Sequence, residues 1–429
     1  MNIYEHYNPA QPLVMHIDLN SCFATVEQQA RPMLRDRPVA VVNRRTEHTM
    51  IVTASYEAKR AGVMLGMKLK DAKKLCPELV GVESDPPKYR YVYHRLLDIM
   101  NDYSAHVRMK SIDEGVIDFS QAPRAIRERG IEEIGYEIKQ RLCDEIGRAM
   151  RCNVGIATNR FLAKTAASLH KPDGLDVITA QNLREIYAGL ELTELTGIAA
   201  RNEARLSAVG ITTPLEFLDA DEQLLRTMVF KSINGSQWYQ RLRGWEVDDV
   251  DYAMKTAGRQ FVLDAYNMPY EQILKRLHHL CEATGKKIRS QGKVARGVQV
   301  WATTHREKGS PEAASGGWEQ RTGSRYWHAR HMSTMPFFSD QAIYEQARQL
   351  FVGAPPLIRT IGVTLYELSD DEDPQLSLFG DELAREHALV GAVDEINSRY
   401  GKHVIHSADT LGMYQAIDEK IPFGSTRYL

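Results

Sequence analysis

Three acidic side chains are the first residues in the sequence whose types and spacing suit chemistry. Asp18 closes the short apolar run Leu13-Val14-Met15-His16-Ile17, and Asp113 and Glu114 stand side by side between two further apolar runs. Hard divalent cations such as Mg²⁺ take oxygen ligands, usually a few carboxylates together with phosphate oxygens of a substrate. Two such ions can hold the attacking and leaving oxygens of an in-line phosphoryl displacement. Neighbouring side chains in a regular strand point to opposite faces, so Asp113 and Glu114 share a site only if the backbone bends at their junction. Spacing alone fits a plainer reading as well, in which all three are ordinary turn and strand-end acids.

The elements that must position these acids follow from the hydrophobic pattern. Residues 13–18, 39–42 and 50–53 read as strands, followed by a helix over 55–60 that stops at Gly62. A helix over 88–103 precedes strands over 106–110 and 115–119, joined through Ser111-Ile112-Asp113-Glu114. Ile131, Ile134, Ile138, Leu142 and Ile146 recur at helical spacing and mark one buried stripe. A strand over 152–157 and a helix over 161–169 follow, closed by Lys171-Pro172-Asp173-Gly174. This order predicts an α+β unit, a sheet with helices on one face. After about residue 178 the strands stop: 182–244 reads as a small helical domain and 248–257 as a linker. A second α/β segment spans 258–368, with an amphipathic helix over 271–289 and an exposed loop over 307–325. A last helix over 388–400 ends at Gly401.

Composition bounds what these segments can be. At 429 residues the chain is long for one domain, at roughly 150 residues each. With 43% hydrophobic and 26% charged residues, wholesale disorder is excluded. No apolar run is long enough for a membrane span, and the first dozen residues lack the pattern of a secretory signal. Five irregularly spaced cysteines without a CxxC pair read as reduced thiols in a cytoplasmic protein. The 54 Lys and Arg nearly cancel the 56 Asp and Glu, but they are not evenly spread. Residues 258–368 hold 15 basic against nine acidic side chains, and 369–383 hold six acids and no base. A basic module followed by an acidic, mobile tail is compatible with a polyanionic partner.

The acids gain meaning from their neighbours. Asp18-Leu19-Asn20-Ser21-Cys22-Phe23-Ala24-Thr25-Val26-Glu27 resembles the first motif of the Y-family, lesion-bypass DNA polymerases, and Ser111-Ile112-Asp113-Glu114-Gly115 resembles their second. Thr53-Ala54-Ser55-Tyr56-Glu57-Ala58-Lys59, with Gly62-Val63 and Gly66-Met67, is similar to the family's fingers segment. Val154-Gly155-Ile156-Ala157, Phe161-Leu162-Ala163-Lys164 and Lys171-Pro172-Asp173-Gly174 resemble its last palm motif. The motifs are nearest to the bacterial polymerase IV type, with some features of the polymerase V catalytic subunit.

The resemblance implies a right-hand polymerase. Its palm would take residues 1–27 and 82–178, its small fingers 28–81, a helical thumb 179–247, a linker 248–257 and an α/β little finger 258–368. Asp18, Asp113 and Glu114 would hold two Mg²⁺ ions with the Leu19 carbonyl as a further ligand. Ser21, Cys22, Phe23, Thr53, Tyr56, Lys59 and Lys164 would bind the incoming dNTP, with Phe23 as the steric gate against a ribose 2′-OH. Lys286, Lys287, Arg289, Lys293 and Arg296 would meet phosphates of the primer–template DNA. In the 369–429 tail, Gln375-Leu376-Ser377-Leu378-Phe379 resembles the peptide by which bacterial polymerases hold the sliding clamp. The expected protein is a monomeric, low-fidelity translesion polymerase without a membrane association.

Three positions depart from the usual family pattern. Cys22 replaces a common aromatic, so support for the gate is in question. Lys59 replaces an Arg, and an ammonium cannot make the same bidentate fork to phosphate. Asn20 replaces a non-essential acid. Two rivals remain, a clamp-binding adaptor without catalysis and a nucleotidyl cyclase. The three acids speak against the first, and the basic second α/β segment with its tail peptide against the second.

Overall fold

The computed structural model describes residues 6–413, apart from 45, 251–252, 264, 266, 305–325, 372–381 and 402. The described residues form two compact units, one running up to residue 250 and the other from residue 253. Among the described residues no helix is long and apolar enough to cross a membrane.

The first unit is built on a five-stranded sheet ordered β5-β6-β1-β7-β8. Its strands are β1 (Val14–Leu19), β5 (Val107–Met109), β6 (Glu114–Asp118), β7 (Cys152–Ala157) and β8 (Leu175–Val177). β1 runs antiparallel to both β6 and β7, so it is central, and its alternate side chains serve opposite faces. Met15 and Ile17 face a core shared with Val154, Ile156, Ile134 and Leu96, under the Pro86–Asn101 and Ile131–Arg141 helices.

The expectation of helices on one face only is corrected here. The Arg160–Leu169 helix lies against the other face, and Gly155 is the reason. A Cβ on Gly155 would stand 2.0 Å from the Ala163 carbonyl oxygen and 2.2 Å from the Ala167 nitrogen. Only a residue without a side chain admits the helix backbone so close to the strand.

A smaller sheet, ordered β3-β2-β4, comprises β2 (Val39–Val42), β3 (Ile51–Ala54) and β4 (Val80–Glu83). The Tyr56–Arg60 helix starts beside it on Ser55, whose hydroxyl accepts the Ala58 N–H. Beyond β8 the described residues up to 250 hold helices and turns, packed around Phe217, Trp238 and Leu206.

The second unit is a four-stranded antiparallel sheet ordered β11-β10-β12-β9. The strands are β9 (Thr256–Val262), β10 (Lys293–Thr304), β11 (Tyr326–Phe337) and β12 (Ile358–Asp370). The Tyr270–Arg289 and Asp340–Phe351 helices cover one face through Val298, Val300, Ile361 and Val363.

Most of the acidic stretch expected to be mobile, residues 372–381, lies outside the described part, and regular structure continues on either side of it. β12 continues to Asp370, and the last helix spans Glu382–Tyr400, beginning before the predicted residue 388. The Tyr270–Arg289 helix has polar residues buried beside its apolar ones, among them Arg276 and Glu282. Buried charge is costly unless paired, and the extension supplies partners. Arg289 donates to Asp394 at 2.7 and 3.1 Å and to Asp340 at 2.7 Å. Glu282 accepts the Ser407 N–H at 2.9 Å and the Thr410 hydroxyl at 3.3 Å, and Arg276 donates to the Met413 carbonyl at 3.2 Å.

Truncation tests this docking. Each buried polar group left without its partner costs roughly 1–3 kcal/mol. A chain ending after residue 381 should unfold several degrees lower in calorimetry, and Asp394→Asn should reproduce part of the loss. An unchanged midpoint for the truncated chain would mean that the extension adds nothing to the unit's stability.

Candidate active site

Asp18 stands directly across from Glu114 in the β1–β6 pairing, so both carboxylates leave the same face of the sheet. His16, two residues earlier on β1, shares that face. The ligating atoms of His16, Asp18 and Glu114 all lie within 4.8 Å of one another. His16 was no part of the sequence expectation, although its spacing of two from Asp18 on a strand was a signal that could have found it.

Asp113 lies beside this trio and not within it. It sits in the bend before β6, where its carbonyl accepts the Leu19 N–H at 2.8 Å and its carboxylate accepts the Ser111 hydroxyl at 2.5 Å. That bend is the backbone change needed to bring neighbouring acids to one place. Burial raises the Asp113 pKa, and the charges of Asp18 and Glu114 raise it further against the Ser111 hydrogen bond.

Lysines from three segments answer the crowded negative charge. Lys164 Nζ reaches both Glu114 oxygens, at 2.9 and 2.7 Å, and Lys171 Nζ reaches Asp18 Oδ2 at 2.6 Å. Burial pushes the Glu114 carboxyl up, but His16 and Lys164 outweigh it and hold the pKa at about 2. Lys59 donates to the Ser21 hydroxyl at 2.8 Å and lies 4.7 Å over the Tyr56 ring. Its pKa is lowered by burial and by the charge of Lys171, while Tyr56 is raised by burial and by Asp18. Ser21, Tyr56, Lys59 and Lys171 therefore converge on the acids. Lys171 stood in a quoted motif without an assigned role.

Asn20 has its own task in this arrangement. Its amide donates to Asn153 Oδ1 at 2.8 Å, and its Oδ1 accepts the Asp173 N–H at 2.9 Å. The turn carrying Lys171 is thereby tied to the end of β1. Ser21 is the N-cap of the Cys22–Ala30 helix in a left-handed conformation, φ 46°. The first N–H groups of such a helix have no partner within it and favour an anion. Thr53 lies on β3, paired with Val41.

Phe23 is buried and stacks on Tyr89, with ring centroids 4.3 Å apart and planes 10° from parallel. The Tyr89 hydroxyl donates to Glu27 at 3.0 Å, and Glu27, fully buried, also receives Lys88 at 3.3 Å. Support for Phe23 thus comes from Tyr89. Cys22 is a buried thiol whose pKa is pushed up by burial and then by Asp113 and Asp18.

The five basic side chains expected on DNA are not one surface. Arg289 is a correction, since it is withdrawn into the unit by Asp340 and Asp394. Lys293 is paired with Asp370 at 2.5 Å. Lys287 is half-buried, and burial followed by the charge of Arg259 lowers its pKa to about 8. Lys286 is half-buried, and Arg296 is exposed at a bulge between Ala295 and Gly297.

The sheet face away from the helices carries Gln299, Trp301, Tyr326, His328, Arg330 and Tyr366, as the registers place them. Trp301 lies over Gly362 and Tyr366 over Gly297, where a Cβ would meet the rings at 2.2 and 2.3 Å. The result is a flat aromatic surface with a basic edge. The residues 375–379 lie outside the described part.

The donor set is hard and oxygen-rich, and a cation would offset both the burial and the neighbouring charges that raise Asp113. The acids therefore fit divalent metal ions.

Comparison with known proteins agrees with this geometry. The impB/mucB/samB family matches residues 17–168, and the impB/mucB/samB family C-terminal domain matches residues 259–378. DNA polymerase IV of Moorella thermoacetica is 32% identical over 415 residues, covering 93% of this chain and 96% of that protein. DNA polymerase IV 1 of Bacillus subtilis is 28% identical, with 93% of each covered. A Y-family DNA polymerase chimera of Dbh and Dpo4 superposes with a TM-score of 0.66 at 22% identity, over 82% of this chain and 98% of that one. The insertion ternary complex of Dbh DNA polymerase gives a TM-score of 0.55 at 23% identity, with the same shares covered. The chain belongs to the impB/mucB/samB family, the Y-family DNA polymerases.

Gly155 links fold to site, because it lets the helix bearing Lys164 approach Glu114. Gly155→Val should destabilise the first unit by about 1–3 kcal/mol or more through overpacking. In a crystal structure of that variant Lys164 should be displaced from Glu114; an unmoved helix would show that Gly155 does not set this distance.

Proposed function

We propose that Asp18, Asp113 and Glu114, with the Leu19 carbonyl, form the catalytic centre of primer extension on DNA. The chain is a DNA-directed DNA polymerase of the translesion type, acting in DNA repair and damage tolerance. It binds primer–template DNA and a dNTP; the primer 3′-OH attacks the α-phosphate and pyrophosphate leaves. The observation that carries the assignment to these residues is Asp18 facing Glu114 across two strands, with Lys171 and Lys164 on their carboxylates. Two Mg²⁺ ions held by the acids would supply positive charge to the attacking and leaving oxygens.

The chain's own groups do the rest. The backbone N–H groups at Ser21, Cys22 and Phe23, with Thr53, Tyr56, Lys59, Lys164 and Lys171, would hold and orient the triphosphate. Phe23 would lie against the sugar's C2′ edge and exclude a hydroxyl by overlap. A hydrophobic pocket rejects an added hydroxyl only on the order of 10²-fold unless its wall cannot yield. The Tyr89 stack supports such a wall.

In this reading residues 1–27 and 82–178 are palm, 28–81 fingers, 179–247 thumb, 248–257 linker and 258–368 little finger. The DNA is met by the open sheet face, with Trp301, Arg330 and Tyr366, and by Arg296. Residues 375–379 tether the enzyme to a sliding clamp, raising its effective concentration at the primer end. The enzyme works as a monomer in the cytoplasm, where its five unpaired cysteines stay reduced.

Two substitutions test the centre. Asp113→Asn should abolish primer extension while leaving DNA affinity and the unfolding midpoint near wild type, and retained extension would remove Asp113 from the centre. Phe23→Ala should raise ribonucleotide incorporation sharply while dNTP incorporation changes much less. A 10³-fold change in that ratio corresponds to about 4 kcal/mol between the two transition states. If both incorporations fall together, Phe23 is a core residue and the gate lies elsewhere.

A further inference from the structure

One buried polar side chain beside the acids takes no part in that scheme. His16 is 1% exposed on a strand whose other members are, apart from Asp18, apolar. Its strand neighbours are Val116 on β6 and Gly155 on β7, so its surroundings would accept a hydrocarbon side chain. Instead an imidazole is buried there, with Nε2 3.3 Å from Glu114 Oε2 yet making no well-aligned hydrogen bond among the described residues. At that distance and alignment the contact adds little to the stability of the fold. The fold does not need such a group at this position, and the acids are what it faces.

The pull on Glu114 is one-sided without His16. Lys164 reaches both Glu114 oxygens from the Arg160–Leu169 helix, which favours a carboxylate turned toward that helix. His16 lies on the same strand as Asp18 and within 4.8 Å of both acids, so it attracts Glu114 back toward Asp18. We infer that His16 is a positioning residue of the polymerase centre, whose Nε2–H restrains Glu114 Oε2 so that the carboxylate and Asp18 present their oxygens to one cation. Groups that orient metal ligands from behind typically change metal affinity or activity by 10–100-fold when removed. The inference rests on the acids being metal ligands.

The test is Mn²⁺ binding, followed by electron paramagnetic resonance of the free ion, with a dideoxy-terminated primer–template and a dNTP present so that no turnover occurs. His16→Phe should weaken Mn²⁺ binding about 10-fold or more while its unfolding midpoint stays level or rises. His16→Gln, which returns an N–H near the same place, should recover most of the affinity. A merely packed histidine would give the opposite pattern, a lower midpoint with unchanged binding, and that result overturns the inference. His16→Leu is the second apolar variant if the larger ring prevents folding; failure of both to fold assigns His16 to the core and likewise overturns it. Asp18→Asn and Glu114→Gln separate the two levels of the argument. If they bind Mn²⁺ as tightly as wild type, the metal reading itself fails and the role of His16 falls with it. If they lose binding while His16→Phe does not, only the role of His16 is lost.

Discussion

Like charges crowded at the ends of neighbouring strands are the constraint around which the first unit is arranged. Asp18 and Glu114 face each other across an antiparallel pair, and Asp113 stands at the adjoining bend. Carboxylates so close cannot all stay ionised unless positive charge comes to them. The answer comes from distant parts of the chain: Lys164 from a helix, Lys171 from the turn after it, and Lys59 close by from the small sheet's helix. Each needs a local device to arrive. Gly155 admits the helix, Asn20 with Asn153 ties down the turn, and Ser55 caps the helix of Lys59.

A second buried charge organises the wall of the same site. Glu27 is fully buried on the helix that carries Phe23, and burying a carboxylate without partners would be prohibitive. Tyr89 and Lys88, both from one helix, are partners of that kind, and Arg31 lies 3.5 Å from the same carboxylate. Because Tyr89 also stacks on Phe23, the electrostatic requirement of Glu27 becomes a mechanical support for an aromatic ring.

Much of this was legible in the residues, and the failures have physical causes. A strand ending in Asp18 and a bend holding Asp113 and Glu114 follow from short apolar runs, because period-two burial and a broken ladder leave local traces. The helix on the second face of the sheet did not, since the close approach at Gly155 is a long-range contact and a lone glycine in a strand reads only as weakness. Arg289 looked like a surface base because its partners, Asp340 and Asp394, lie 51 and 105 residues away. The open face of the second sheet was missed for a related reason. Trp301 and Tyr366 belong to strands whose register decides which face they occupy, and register is set by pairing rather than by either strand alone. His16 was overlooked because a single polar residue inside an apolar strand carries little weight until its neighbour across the sheet is known.

The ion pair between Lys171 and Asp18 bears on how firmly that carboxylate could hold a cation. The ammonium lies 2.6 Å from Asp18 Oδ2, an oxygen of the acid proposed above as a metal ligand. A cation held at Asp18 would compete with Lys171 for that carboxylate, and Lys171 in turn lies close enough to Lys59 for its charge to be felt there. Competition of this kind is reciprocal, so whatever the ion pair takes from the cation's affinity for Asp18 the cation takes from the ion pair.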